Sequence, residues 1–190
     1  MAESFWIDQE FVKQDYIQNK LPKGDYENCH FVDCTFGKGF LDNQNFVECS
    51  FEGCDFTNTN IAHTIFNNVT FVECKMVGLQ FETSNPLLST FHFKGCNLSV
   101  ASFYGMDLPQ TPFEDCKLHQ VDFTQTKLKG CSFSGSDLKD ATFDDTDLEQ
   151  ADFSSAVNFN IDPSVNHLKK SKFSKDGLIG LLKKYDIVVT

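Results

Sequence analysis

Eight cysteines are the first residues in this 190-residue chain whose type and spacing suggest chemistry. Cys29 and Cys34, then Cys49 and Cys54, form two Cys-x4-Cys pairs, a spacing that invites a tetrathiolate metal centre. Structural zinc sites draw their thiolates from tighter pairs in loop-rich surroundings. The other four, Cys74, Cys96, Cys116 and Cys131, belong to no such quartet, yet all eight stand two residues before a large apolar residue. One positional rule accounts for every cysteine, so interior thiols are expected, with no metal and no cofactor. Stacked thiols with parallel Cβ vectors are poorly aimed for disulfides. The opening MAESFWIDQE carries no secretion signal, which predicts reduced thiols and a cytoplasmic location.

The five histidines, at 30, 63, 92, 119 and 167, are scattered, with no HExxH pattern. Nucleophile-elbow, Walker A and glycine-rich dinucleotide signatures are missing too, so the expectation is no enzyme. The formal charge of −11 and the lack of any arginine argue against direct nucleic-acid binding. No apolar run reaches the length of a membrane span. Asp137, Asp140, Asp144, Asp145, Asp147, Glu149 and Asp152 face only Lys139 across residues 137–152. These carboxylates are the candidate partner-binding face. They read either as a solvated exterior or as a surface whose charge imitates a nucleic-acid backbone.

What must position these residues is a repeat of five. From Trp6 to Phe81, and again from Phe93 to Phe153, every fifth residue is large and apolar or aromatic. In the second series Phe and Leu alternate strictly. A helix would turn every fifth side chain by about 140° and lose the face, and a strand would point alternate members to opposite faces. A short extended piece plus a corner in each unit keeps them all inside, and the chain then coils as a polygon with stacked, strand-paired turns. Glycines at 95, 105, 130 and 135 fall at the corner position.

The phase slips once, by two residues, between Phe81 and Phe93. Ser84, Asn85 and Pro86 read as a turn leaving the surface, with the excursion over residues 82–87 and Leu88 already in the second phase. The repeat is expected to end near Ala156, giving a rod over 1–156 with a degenerate first coil at 6–25. A cap follows over 157–190, with Asp162-Pro163 opening a helical turn and a second helix over 175–185 capped by Ser174. Leu178, Leu181, Leu182 and Tyr185 share one stripe of that helix, and Ile187, Val188 and Val189 read as a strand. The cap carries six lysines against three aspartates, a net +3.

Units such as Ser136-Asp137-Leu138-Lys139-Asp140, Ala141-Thr142-Phe143-Asp144-Asp145 and Ala151-Asp152-Phe153-Ser154 resemble the pentapeptide-repeat family, whose unit reads [STAV][DN][LF][STR]x. The resemblance implies an all-β fold, a right-handed quadrilateral β-helix with twenty residues per coil, here about seven coils. The C-terminal segment, from Phe173-Ser174 through Leu178, Leu181 and Leu182 to Ile187, Val188 and Val189, is similar to the quinolone-resistance (Qnr-type) subgroup. That likeness implies a homodimer through Leu178, Leu181, Leu182, Tyr185, Ile187 and Val189. It also implies an acidic rod that binds DNA gyrase or topoisomerase IV as a DNA mimic, with Ser84, Asn85 and Pro86 as a candidate loop site. The alternative is a structural or scaffolding rod that binds another cytosolic protein.

Overall fold

A computed structural model describes residues 4–86 and 89–188. The chain winds as a right-handed quadrilateral β-helix of about eight coils. Side one carries β1 (Ser4–Ile7), β3 (Gly24–Glu27), β5 (Asn45–Val47) and β7 (Ile65–Asn67) as a parallel sheet. Side two carries β2 (Glu10–Val12), β4 (His30–Val32), β6 (Ser50–Glu52), β8 (Val69–Val72), β9 (Phe91–Lys94) and β10 (Phe113–Glu114). Sides three and four pair by single bridges, such as Asp55 with Lys75 on side three and Asp122 with Thr142 on side four. Equivalent residues are twenty apart, as Phe31 over Phe51 shows.

The corner is made, at most levels, by a left-handed residue two positions after the central apolar one. At these corners φ runs from 50° at Asn28 to 71° at Gly78. An L-residue pays about 1–2 kcal/mol for this conformation, and the chain fills most corners with Asp, Asn, Gln, Glu, Lys or Gly. The residue just before the central one steadies the turn. Asp55, Asp122, Asp137, Asp147 and Asp152 each accept, through a carboxylate oxygen, the backbone N–H two residues on.

Inside, each side stacks like on like. On side two Phe93, Phe113, Phe133, Phe153 and Phe173 form one column, with centroids 4.6–5.3 Å apart. Phe81, Phe103, Phe123 and Phe143 form another on side four, spaced 4.4–5.4 Å. The two columns meet edge to face, as with Phe113 and Phe123 at 5.7 Å and 80°, the arrangement that aromatic quadrupoles favour.

The slot two residues before each central apolar residue is selected for more than small size. Cys74 Sγ donates to the Phe51 carbonyl, Thr126 Oγ1 to that of Phe103, Ser136 Oγ to that of Phe113 and Cys131 Sγ to that of Leu108. A small hydrogen-bond donor there reaches the coil beneath, which is why Cys, Ser and Thr recur.

The two-residue slip is absorbed next to the 3-10 helix Phe81–Thr83. Register is twenty at Asn45 with Ile65 but twenty-two at Phe71 with Phe93. The expected outward turn is only partly formed. Ser84 is buried with its hydroxyl donating to the Phe81 carbonyl, and Asn85 N–H bonds Thr64 of the coil below, while Pro86 is exposed. Leu88 lies outside the described residues. Phe91, in a slot that elsewhere holds small residues, fills the centre of the rod at this level against Phe66, Phe81 and Phe93.

Two expectations for the C-terminal part are corrected. The coil does not stop near Ala156, because β11 (Asp152–Phe153) pairs with β12 (Lys172–Phe173), and Asp147 bridges His167. Asn158 and Pro163 occupy central positions and hide the period, but Leu168 and Phe173 return to it. Asp162-Pro163 starts a hydrogen-bonded turn, with Ser164 N–H bonded to the Asp162 carboxylate, and no helix. The expected helix over 175–185 is two 3-10 helices, Asp176–Leu181 and Lys183–Tyr185. The N-cap position is Lys175 rather than the expected Ser174, which stands one residue further out and whose hydroxyl accepts from Gly177 N–H. Three residues per turn aligns positions three apart, so Gly177, Gly180 and Lys183 face Phe159. A Cβ on Gly180 would stand 2.5 Å from the Phe159 ring, and Lys183 Nζ bonds the Phe159 carbonyl. Ile187 and Val188 are exposed and form no strand; Val189 lies outside the described residues.

Candidate functional site

The cysteines are all buried. Because the slip adds two residues, Cys74 and Cys96 share a column, which joins Cys34, Cys54 and Cys74, each twenty apart, to Cys96 and Cys116. Cys34, Cys54, Cys74, Cys96 and Cys116 thus climb side three as one thiol ladder, topped by Ser136, whose hydroxyl accepts from Cys116 N–H. Burial pushes the thiols of Cys49 and Cys131 up to about 12. Neighbouring thiols and burial push Cys74 and Cys116 upward as well. Among the described residues no group of three His, Cys, Asp or Glu side chains is placed to hold a metal ion. The ladder is interior packing.

The seven acidic candidates do not share one face. Residues 137–152 cover three-quarters of a coil, so these carboxylates ring the rod across all four sides. Several are engaged structurally. Asp137 bonds His119 Nε2 at 2.7 Å and Asn158, Glu149 pairs with Lys129 at 3.1 Å, and Asp152 pairs with Lys172 at 3.2 Å. Burial would raise the Asp137 carboxyl, but the bonds from Asn158 and His119 outweigh it and hold it below the usual range. Hydrogen bonds from Ser154 and Lys172 lower Asp152, and Lys129 lowers Glu149. Asp147 holds a corner through Glu149 N–H. Asp140, Asp144 and Asp145 remain, at the corners flanking side four, with Asp122 one coil below.

A second acidic feature was missed because its members are twenty or more residues apart. The corner between sides two and three stacks Asp33, Gly53, Glu73, Gly95, Asp115 and Gly135, with Glu52 and Glu114 on adjacent positions. All five carboxylates are exposed, and none forms an ion pair among the described residues. Each glycine of the column lies over the acid of the coil beneath, so that a Cβ on Gly53 would meet Asp33 Oδ1 at 2.6 Å and one on Gly135 would meet Asp115 Oδ1 in a severe overlap. The signal was available in the sequence as alternation of acid and glycine at coil spacing, once the slip is counted.

The expected C-terminal stripe is divided. Leu181 packs against the core and Leu182 is half-buried, whereas Leu178, Ile179, Tyr185 and Ile187 are exposed. A groove of about 440 Å³ runs between the last coil and the 3-10 helix, lined by Ser155, Val157, Phe159, Asp176 and Ile179 among others. No helix among the described residues is long and apolar enough to cross a membrane.

The sequence matches a family model described as a pentapeptide repeat region over residues 44–113 and 85–153. Among solved structures, full-length QnrB1, a plasmid-mediated fluoroquinolone resistance protein, is similar at 16% identity and a TM-score of 0.59, covering 97% of this chain and 100% of its own. HetL, a pentapeptide repeat protein involved in heterocyst differentiation regulation from the cyanobacterium Nostoc, is similar at 16% identity and a TM-score of 0.58, covering 90% of this chain and 86% of its own. No curated protein sequence matches. At these identities the likeness shows the fold.

Proposed function

This chain belongs to the pentapeptide-repeat family, and from that premise we propose that it is a non-enzymatic interaction protein whose acidic corner occupies a nucleic-acid-binding groove on a protein partner. The observation that carries this reading is the column between sides two and three. Asp33, Glu52, Glu73, Glu114 and Asp115 place five unpaired carboxylates over five coils stacked roughly 4.8 Å apart, the series broken at one level by Lys94 and Gly95. One strand of duplex DNA presents a charge about every 3.4 Å. The filled interior fixes the backbone that carries the column, so little backbone freedom is lost on docking. Asp122, Asp140, Asp144 and Asp145 beside side four form a second, shorter patch.

The similarity to QnrB1 favours a type II topoisomerase, DNA gyrase or topoisomerase IV, as that partner. The exposed Leu178, Ile179, Tyr185 and Ile187 fit a homodimer through the C-terminal end. Supercoiling by gyrase, with and without a quinolone, tests the reading. The protein is expected to alter supercoiling or relieve the drug, in a salt-sensitive manner that competes with DNA. Asp33→Lys/Glu73→Lys/Asp115→Lys should abolish the effect, and Asp140→Lys/Asp144→Lys/Asp145→Lys should reduce it less. No effect of the wild-type protein on supercoiling or drug action, together with capture of a different cytosolic partner, would favour the scaffolding alternative.

A further inference from the structure

The first coil breaks a rule that the rest of the rod keeps. β1 and β2 end their sheets, so among the described residues the outer backbone edge of each is unpaired. Proteins usually protect such edges with charge, proline or a covering segment. Here the two outward positions of β1 are Phe5 and Ile7, 64% and 53% exposed. In the next coil the same positions hold Asp25 and Glu27. Val12 and Ile17, outward on the following two sides, are also exposed. Trp6 stacks on Tyr26 with centroids 4.5 Å apart and planes at 4°, and no ring covers its other face among the described residues. The C-terminal end differs, because Gly177 and Gly180 close over Phe159 there.

We propose that this N-terminal end binds a second copy of the chain, head to head, through antiparallel pairing of β1 with its equivalent. The strand Ser-Phe-Trp-Ile is self-complementary about Trp6. With the two-fold axis at that residue, Phe5 lies opposite Ile7 of the other copy on the outside, and the two indoles meet on the inside, as an isologous contact requires. The strand carries no charge, so the pairing sets no like charges against each other. An identical coil end also supplies the backbone groups that the open edge needs. The exposed parts of Phe5, Ile7, Val12 and Ile17, with the half-open rings of Trp6, Phe11 and Tyr16, amount to about 500 Å² per copy, taking roughly 150–250 Å² for a whole aromatic side chain. Two copies bury about 1,000 Å², near the lower limit of specific interfaces. An interface of this size stands at the small end of specific contacts, so the dimer is expected to depend on protein concentration.

Trp6 is the single tryptophan of the chain, so it reports this contact directly. The test is tryptophan emission of the full chain from about 0.1 to 100 µM, with light scattering in parallel. A C-terminal contact would change mass as well, so both measurements are repeated with Leu178→Glu. Emission is expected to shift to shorter wavelength with concentration in the wild type and in Leu178→Glu. Phe5→Glu/Ile7→Lys should remove the shift and lower the mass. Both substituted side chains point outward, so circular dichroism and the unfolding midpoint should stay near wild type. Emission independent of concentration, or a shift that survives Phe5→Glu/Ile7→Lys, overturns the proposal, and so does a mass that rises only where Leu178 is intact. Emission already at short wavelength in a monomer would also overturn it, because the edge would then be covered by the chain itself.

Discussion

Phe123 offers the sharpest test of the interior. Its ring lies between Phe103 at 5.4 Å and Phe143 at 5.2 Å, nearly parallel to both, and meets Phe113 and Phe133 edge-on at 5.7 and 5.9 Å. Phe123→Ala removes these contacts and leaves a cavity that backbone pairing on both sides prevents from collapsing, a loss of about 3–5 kcal/mol. Phe123→Asp adds a titratable group to the same cavity. Desolvation raises a buried carboxyl by up to about 3–5 units, so its folded pKa reaches or passes 7, whereas its unfolded pKa stays near 3.9. With the folded pKa above the unfolded one, the neutral acid is tolerated below about pH 4, and stability falls as pH rises. At pH 7 the added penalty is about 4 kcal/mol, set by the three units between 3.9 and 7. Together with the cavity the loss is about 8 kcal/mol, within reach of the whole stability of a domain.

Urea unfolding followed by circular dichroism at pH 4.5 and pH 7 gives the numbers. Phe123→Ala and wild type are measured beside Phe123→Asp, because native carboxylates with lowered pKa, such as Asp137 and Asp152, weaken every variant as pH falls. The gap between the Asp and Ala variants should shrink from about 4 kcal/mol at pH 7 to about 1 at pH 4.5. A gap that does not change with pH, or an Asp variant as stable as the Ala variant at pH 7, would put residue 123 in water and refute the stacked column.

Two further outcomes follow from the slots and corners. None of the eight thiols should react with an aromatic disulfide reagent in the native protein at pH 8, and all eight should react in urea; fast native labelling of any one would contradict its burial. Gly135 has φ +66° and lies over the flexible Asp115 carboxylate, which can swing aside, so Gly135→Ala should cost about 1 kcal/mol through the left-handed backbone alone. Gly37, with its nearest contact at 3.5 Å and no left-handed angle, is the control and should change the urea midpoint little when made alanine.

The period of five made the inward positions legible, because only a corner in every unit puts Trp6, Phe11, Tyr16 and their successors inside together. The side-by-side columns followed from twenty-residue spacing, and the Phe and Leu alternation placed Phe on sides two and four. What escaped was whatever depended on counting across the slip. Cys74 and Cys96 are twenty-two apart in sequence, so the five-thiol ladder looked like two pieces. The end of the rod escaped for a different reason. Asn158 and Pro163 stand where apolar residues were expected, and backbone pairing carries the coil past them to Phe173. In the cap, a period of 3.6 was imposed on residues that fold with a period of 3, which hid the part played by Gly177 and Gly180.

The acidic residues show why a sequence run is a poor guide to a surface on this fold. Adjacent residues are carried around corners, so the run from Asp137 to Asp152 encircles the rod, while residues twenty apart become neighbours. The acids also have two physical origins. Those just before a central residue, such as Asp137, Asp147 and Asp152, hold the corner by accepting a backbone N–H, a role that needs no binding partner. Those at or next to the left-handed corner, such as Asp33, Glu73 and Asp115, make no such bond, and lysine, glutamine or glycine fills the same position elsewhere in the rod. The second kind makes no such bond, and it includes both the column between sides two and three and the patch beside side four. Removing charge from the first kind should therefore lower stability, whereas reversing it in the second kind should alter binding and leave the unfolding midpoint nearly unchanged.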